Sequence, residues 1–121
     1  MSKRDNEIYI DDVLDSIQQI EEYTKGIDIN IFMKDRKTID AVVRNISVIG
    51  EAVNNISKEI KSEYPQIPWR EIADMRNKTI HEYFGIDLDI LWETMKGDLP
   101  PFKKQMLEIA GKYNKEMIGS V

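Results

Sequence analysis

The chain holds one histidine, His81, and any mechanism that moves a proton at neutral pH has to be built on it. His81 stands in the run Arg76-Asn77-Lys78-Thr79-Ile80-His81-Glu82-Tyr83, whose residue types match the needs of phosphodiester cleavage. An imidazole with an ordinary pKa near 6.5 accepts or donates a proton at neutral pH. A guanidinium stays charged and grips phosphate oxygens through its planar fork. RNA carries its own nucleophile, the 2′-hydroxyl, so a proton carrier and a phosphate clamp suffice without a metal. Arg76 and His81 are the candidate catalytic pair.

Other chemistries lack their parts. With no cysteine there is no thiol nucleophile, no Cys-based zinc site and no disulfide framework. No Gly-x-Ser-x-Gly elbow, HExxH pair or Gly-rich phosphate loop occurs. The acids Asp11, Asp12 and Asp15, and Asp87 with Asp89, fall at helix starts or on polar faces and read as solvated surface rather than a metal site.

The spacing of the pair can be set against helix geometry. At about 100° per residue, Arg76 and Tyr83 fall within roughly 20° of each other on an unbroken helix, while His81 lies about 140° from Arg76. Such a helix does not aim Arg76 and His81 at one point. Three solutions stay open: a distorted helix, a long arginine reaching round, or two chains contributing to one cleft. A two-fold axis would bring equivalent residues of two copies together.

The elements that must carry these residues are helical almost throughout. Ile10, Val13, Leu14, Ile17 and Ile20 recur at helical spacing and predict a first helix from about Asn6 to Thr24, with Gly26 as a stop. Ile39, Val42, Ile46, Ile49, Val53, Ile56 and Ile60 form an unbroken apolar seam and predict a long helix from about Arg36 to Lys61. Gly50 falls inside it, and close helix packing there would offset the roughly 1 kcal/mol that glycine costs relative to alanine. Pro68 suits the start of a third helix running from Trp69 to about Phe84, with Gly85 as its C-cap. Asp87 caps a fourth helix that Gly97 ends, and Asp98 caps a fifth with Pro100 and Pro101 in its first turn. No segment alternates with period two over a useful length. The expected class is all-α, a bundle of four or five helices in one domain spanning 1–121.

The chain's 121 residues, net charge of −5 and 41% apolar content fit such a domain. Nothing approaches the roughly 18 apolar residues of a membrane span. The N-terminus runs straight into acids without a signal peptide's apolar stretch, so the expectation is a cytoplasmic protein with no membrane partner. A pI of about 4.9 argues against a broad basic face for duplex DNA, though not against a local phosphate site. Lys34-Asp35-Arg36-Lys37 and Lys103-Lys104 are the local clusters that could contact phosphate.

Several blocks occur together: Ile49-Gly50-Glu51-Ala52, Tyr64-Pro65-x-Ile67-Pro68-Trp69-Arg70, Arg76-Asn77-x-x-x-His81-x-Tyr83-Phe84-Gly85, Asp87-x-Asp89-x-x-Trp92 and Asp98-Leu99-Pro100. In order and spacing they resemble the HepT-like toxins of the HEPN superfamily, from about Arg36 to the end of the chain. The resemblance implies a HEPN-like bundle that forms a symmetric homodimer and acts as a metal-independent endoribonuclease with no cofactor. It gives the catalytic roles to Arg76 and His81 at a cleft between protomers, and a supporting role to Asn77. It further implies a toxin–antitoxin system in which an MntA-like minimal nucleotidyltransferase neutralises the toxin by AMPylation of Tyr83, and it points to tRNA as the RNA substrate. On the helical wheel, bulk and negative charge added at Tyr83 would crowd the face carrying Arg76. A rival reading is a non-catalytic accessory subunit that binds a nucleotide or substrate for such a nucleotidyltransferase. A third is a helical scaffold without a ligand.

Overall fold

A computed structural model of the chain describes residues 3–81 and 85–119, with side-chain environments for 5–80 and 85–112. Its elements are α1 (Lys3–Tyr23), α2 (Ile29–Lys34), α3 (Arg36–Asn55), α4 (Lys58–Glu63), α5 (Trp69–Ala73), α6 (Met75–Thr79), β1 (Ile80–His81), β2 (Gly85–Ile86), α7 (Leu88–Glu93), a π-helical turn (Thr94–Asp98) and α8 (Leu99–Gly119). The class is all-α. Among the described residues a single antiparallel pair, Ile80 against Ile86 and His81 against Gly85, interrupts the helices. Among the described residues no helix is long and apolar enough to cross a membrane.

The apolar seam read from the sequence is the core. Val13, Val42, Ile46, Ile49, Val53, Leu91, Met106 and Ile109 have no exposed surface. α1 packs along α3, α8 closes on α1, and α5 and α6 lie across α3. Phe32 of α2 fills the gap beside Trp92, with ring centroids 5.3 Å apart. Gly26 follows α1 at a φ of +75°, the left-handed conformation that favours glycine.

Two expected helices are broken and two are joined, each for an identifiable reason. The seam from Ile39 to Ile60 stays buried throughout, but its backbone divides at Ile56. Ser57 caps α4 by accepting from Ile60 N–H, and the buried Asn6 amide of α1 accepts from Ser57 N–H at 2.9 Å and donates to Ser57 Oγ at 3.2 Å. That long-range pair substitutes for the helical bonds lost at the bend. The expected helix from Trp69 to Phe84 instead kinks at Asp74 and ends at Thr79, and Gly85 opens β2 at a φ of +82° rather than capping a helix. Gly97 ends nothing and Asp98 caps nothing, because α7 runs through the π-helical turn into α8. Leu99 N–H donates to Thr94 O, five residues back. Pro100 and Pro101 bring no N–H to the next two carbonyls, so the wider turn absorbs the break in the ladder. Asp87 does cap α7, accepting from Ile90 N–H at 3.1 Å.

Candidate functional site

The Arg76–His81 run sits where α6 gives way to the β pair. Buried Met75 and Thr79 root α6 in the core, and Arg76, Asn77 and Lys78 between them are exposed. Gly50 decides how closely this module approaches α3. A Cβ built there would stand 2.9 Å from the Ala73 carbonyl oxygen, nearer than side chains pack on backbone. The close helix packing expected at Gly50 is present, and its partner is the residue just before the Asp74 kink.

The kink has a local cause. Asp74 adopts φ −96° and ψ 3°, its carbonyl accepts from Asn77 N–H at 3.0 Å, and its carboxylate accepts from the Asn77 side-chain amide. Short polar side chains bond nearby backbone and each other in this way and compete with a continuous helix. The Asn77 amide therefore fixes the first turn of α6, and among the described residues it makes no hydrogen bond to Arg76.

At the other end, Thr79 works as a clamp. Its hydroxyl, wholly buried, donates to Arg76 O at 3.0 Å, and its own carbonyl accepts from Asp87 N–H at 2.7 Å. Ile80 N–H also reaches Arg76 O. A bond spanning eight residues thus replaces the next helical step and draws β1 against β2. Of the three solutions to the helical wheel, the helix is the one that yields: His81 has left it for extended backbone, so the wheel angle from Arg76 no longer applies. The same change removes the wheel argument for Tyr83, which itself lies outside the described residues.

Charge around the module comes from Arg70 of α5 and Lys78 of α6 and from the Lys34-Asp35-Arg36-Lys37 cluster. An open polar cleft of about 610 Å³ runs beside α5 and α6, lined by Asn54, Arg70, Asp74, Asn77 and Lys78 among others. Arg70, Arg76 and Lys78 are exposed and make no ion pair with another described residue. Arg70 could have been suspected from its place beside Trp69 in the sequence, but only folding brings it to Asn77 and Lys78. A second cleft, of about 330 Å³, places Lys34 and Arg36 against Gly85 and Ile86 of β2. Arg36 is also held by Asp40 at 3.1 Å. Lys103 of the other expected cluster is paired with Glu21 at 2.7 Å, which weakens it as a phosphate contact. Among the described residues no three His, Asp or Glu side chains gather closely enough to hold a metal ion.

Comparison with known proteins converges on one family. The family model described as ribonuclease HepT-like matches residues 13–109, which includes the whole of the site. The chain is 44% identical to a probable ribonuclease HepT of Thermococcus cleftensis over 113 residues, covering 93% of this chain and 96% of that one. A Caldanaerobacter subterraneus protein, an RNase by designation, is 42% identical over 86% of this chain and 93% of its own. A Methanocaldococcus jannaschii protein whose name joins a gamma-glutamylcyclotransferase to an RNase is 42% identical over 93% of this chain, which spans 51% of that longer relative. No solved structure matches significantly. With the motif blocks, the all-α architecture and near full-length likeness in agreement, the chain belongs to the HepT-like ribonuclease family.

Proposed function

We propose that this single-domain chain is a metal-independent endoribonuclease toxin that works as a symmetric homodimer, with tRNA as the candidate substrate. The 2′-hydroxyl of the substrate attacks the adjacent phosphorus, and His81 takes its proton. Arg76 stabilises the charge of the phosphorane, a role for which an always-charged guanidinium is well suited. The bond to the 5′-oxygen breaks, that oxygen takes the proton from the protonated imidazole of His81, and a 2′,3′-cyclic phosphate remains. One observation carries this reading: Arg76 stands exposed, with no ion pair to another described residue, on a helix whose end is clamped by Thr79, directly before the strand that bears His81. The cations of the two flanking clefts support the reading that a chain of net charge −5 holds a polyanion through local charge.

Control runs through Tyr83. An MntA-like nucleotidyltransferase would direct the Tyr83 hydroxyl onto the α-phosphate of ATP, forming a tyrosyl–AMP ester and releasing pyrophosphate. The added bulk and negative charge would lie two residues from His81 and compete with RNA for the site's cations.

The test is RNA cleavage by the purified chain in excess chelator, beside His81→Ala and Arg76→Ala. Cleavage by the wild type, lost by about 10²-fold or more in each variant, is expected. Equal cleavage by all three would remove both assignments, and tight RNA or nucleotide binding without cleavage would return the accessory-subunit reading. Incubation with the partner and ATP should add the mass of AMP to the wild type and leave Tyr83→Phe unchanged.

A further inference from the structure

A cavity of about 360 Å³ lies on the flank of α6 that faces α8; Lys78 lines it, while Arg76 and Asn77 do not. Its floor is apolar: Ile72, Met75 and Phe102, each nearly fully buried, with Pro68 and Pro101 at the sides. Its mouth is polar, formed by Glu71, Lys78, Asp98 and Gln105. That size, an apolar lining and a few convergent polar groups are the marks of a small-ligand site.

Two features give it a direction. Lys78 and Glu71 line both this cavity and the polar cleft that holds Arg70 and Asn77, so the two spaces adjoin along one edge of α6. The cavity offers a flat group an apolar floor, and the cleft beside it offers Arg70 and Lys78, which make no ion pair with another described residue. Glu71 and Asp74 also line that cleft, and the Asp74 carboxylate already accepts from the Asn77 amide. Asp98, which lines the cavity and not the cleft, repels a phosphate from the cavity, and the oxygens of Asp98 and Glu71 accept from amino groups. A planar heterocycle with donors on its edge therefore enters, and an attached phosphate stays outside.

The π-helical turn forms part of the cavity's wall. Gly97 and Asp98 belong to that turn, and a Cβ at Gly97 would meet nothing within 4 Å. The wide turn forced by Pro100 and Pro101 thus presents a residue without a side chain at the mouth.

From this geometry we infer that the cavity and the adjoining cleft form a nucleotide subsite, taking one nucleoside monophosphate unit of an RNA strand with its base in the cavity and its phosphate on Arg70 and Lys78. Unstacked bases of single-stranded RNA are bound in this manner, by apolar contact to the ring and hydrogen bonds to its edge. On α6, Arg76 lies roughly 130° from the direction shared by Met75 and Lys78, across a helix about 10 Å wide. A strand held in the subsite passes round the helix to Arg76, so the subsite would select the nucleotide near the scissile bond. The inference rests on the ribonuclease reading for its source of ligand, though the subsite's chemistry does not.

The test is binding of a fluorescent 2′-fluoro RNA oligonucleotide, which lacks the nucleophile, to the full chain and to Gly97→Leu and Lys78→Glu. Gly97→Leu fills the mouth from a position with room for a side chain and away from the motif. It should keep the wild-type melting temperature and weaken binding about tenfold, with Lys78→Glu weakening it at least as much. An oligonucleotide with an abasic position should lose the same factor on the wild type and nothing further on Gly97→Leu. Free AMP at millimolar concentration should not displace the oligonucleotide. Displacement by AMP that depends on Gly97 would keep the chemistry and reassign the source to a free mononucleotide. Wild-type affinity of folded Gly97→Leu for both ligands, or no binding by the wild type, would overturn the subsite. Wild-type cleavage of unmodified RNA, measured in parallel, separates the outcomes. Cutting with Gly97-independent binding sinks only the subsite, and Gly97-dependent binding without cutting sinks only the nuclease.

Discussion

Replacing Gly50 with alanine adds one methyl group at the tightest point between α3 and the site. The new Cβ would stand 2.9 Å from Ala73 O and 3.6 Å from Ala73 C, so about 0.5 Å of separation is needed to reach ordinary contact at 3.4 Å. Both sides are backbone, and no rotamer change can relieve the overlap. Alanine in a helix interior gains about 1 kcal/mol over glycine, while overpacking a core contact costs about 1–3 kcal/mol. The expected net is a loss of about 1 kcal/mol. Gly111, exposed on α8 with nothing within 4 Å of its Cβ position, is the control: Gly111→Ala has only the gain. Urea denaturation should therefore move the two variants in opposite directions. The consequence for chemistry exceeds that for stability, because Ala73 stands three residues before Arg76 and α5 and α6 must shift with it. A catalytic group misplaced by 1 Å can cost about 10²-fold, so a shift of half that size should slow RNA cleavage by about tenfold. A Gly50→Ala protein that is more stable than wild type and cuts RNA at the wild-type rate would refute the close contact and its role in placing Arg76.

Two further outcomes probe the supports of the site. Asn6→Ala removes a buried amide that both donates to and accepts from Ser57, leaving the first turn of α4 short of a partner; a loss of about 1–3 kcal/mol in denaturant unfolding is expected, with cleavage by the folded fraction unchanged. Asp35 caps α3 beside the Lys34 and Arg36 cleft, and hydrogen bonds from the Thr38 hydroxyl and then its N–H hold its carboxyl below the ordinary value of 3.8. The folded-state value is the depressed one, so this contribution is fully present above that ordinary value and is lost as pH falls through the depressed one. Unfolding midpoints measured near neutrality and again in acid should therefore fall less for Asp35→Asn than for the wild type, and parallel falls would remove the linkage.

The helices were legible wherever one apolar face stayed in register. Ile10 to Ile20 and Ile39 to Ile60 read as buried stripes because the 3.6-residue period is set by the chain itself, and both stripes are buried. Asp87 as a cap and Gly26 as a stop were equally readable, since their partners lie within a few residues. The breaks were not. Division at Ile56 depends on Asn6, fifty-one positions from Ser57, and the end of α6 at Thr79 depends on Asp87. Local pattern favours continuing both helices, and only contacts made after folding stop them. The π-helical turn stands between, since its cause, the paired prolines, is visible in the sequence but suits the first turn of a new helix equally well.

For the site, sequence alone determined which groups are available: one imidazole, a guanidinium five positions before it, and no thiol, because composition bounds chemistry before any folding. The motif blocks also determined the family, since their order and spacing survive in the chain whatever its shape. The tertiary structure decided how the groups are carried. Gly50 against Ala73, the Asp74 kink and the Thr79 clamp join residues far apart in sequence, and together they turn one expected helix into a short helix followed by a strand. Arg70 beside Lys78, and Lys34 and Arg36 beside Gly85, are likewise products of folding. A side chain's type travels with the sequence, whereas its neighbours are set by close packing among elements that the sequence specifies only jointly.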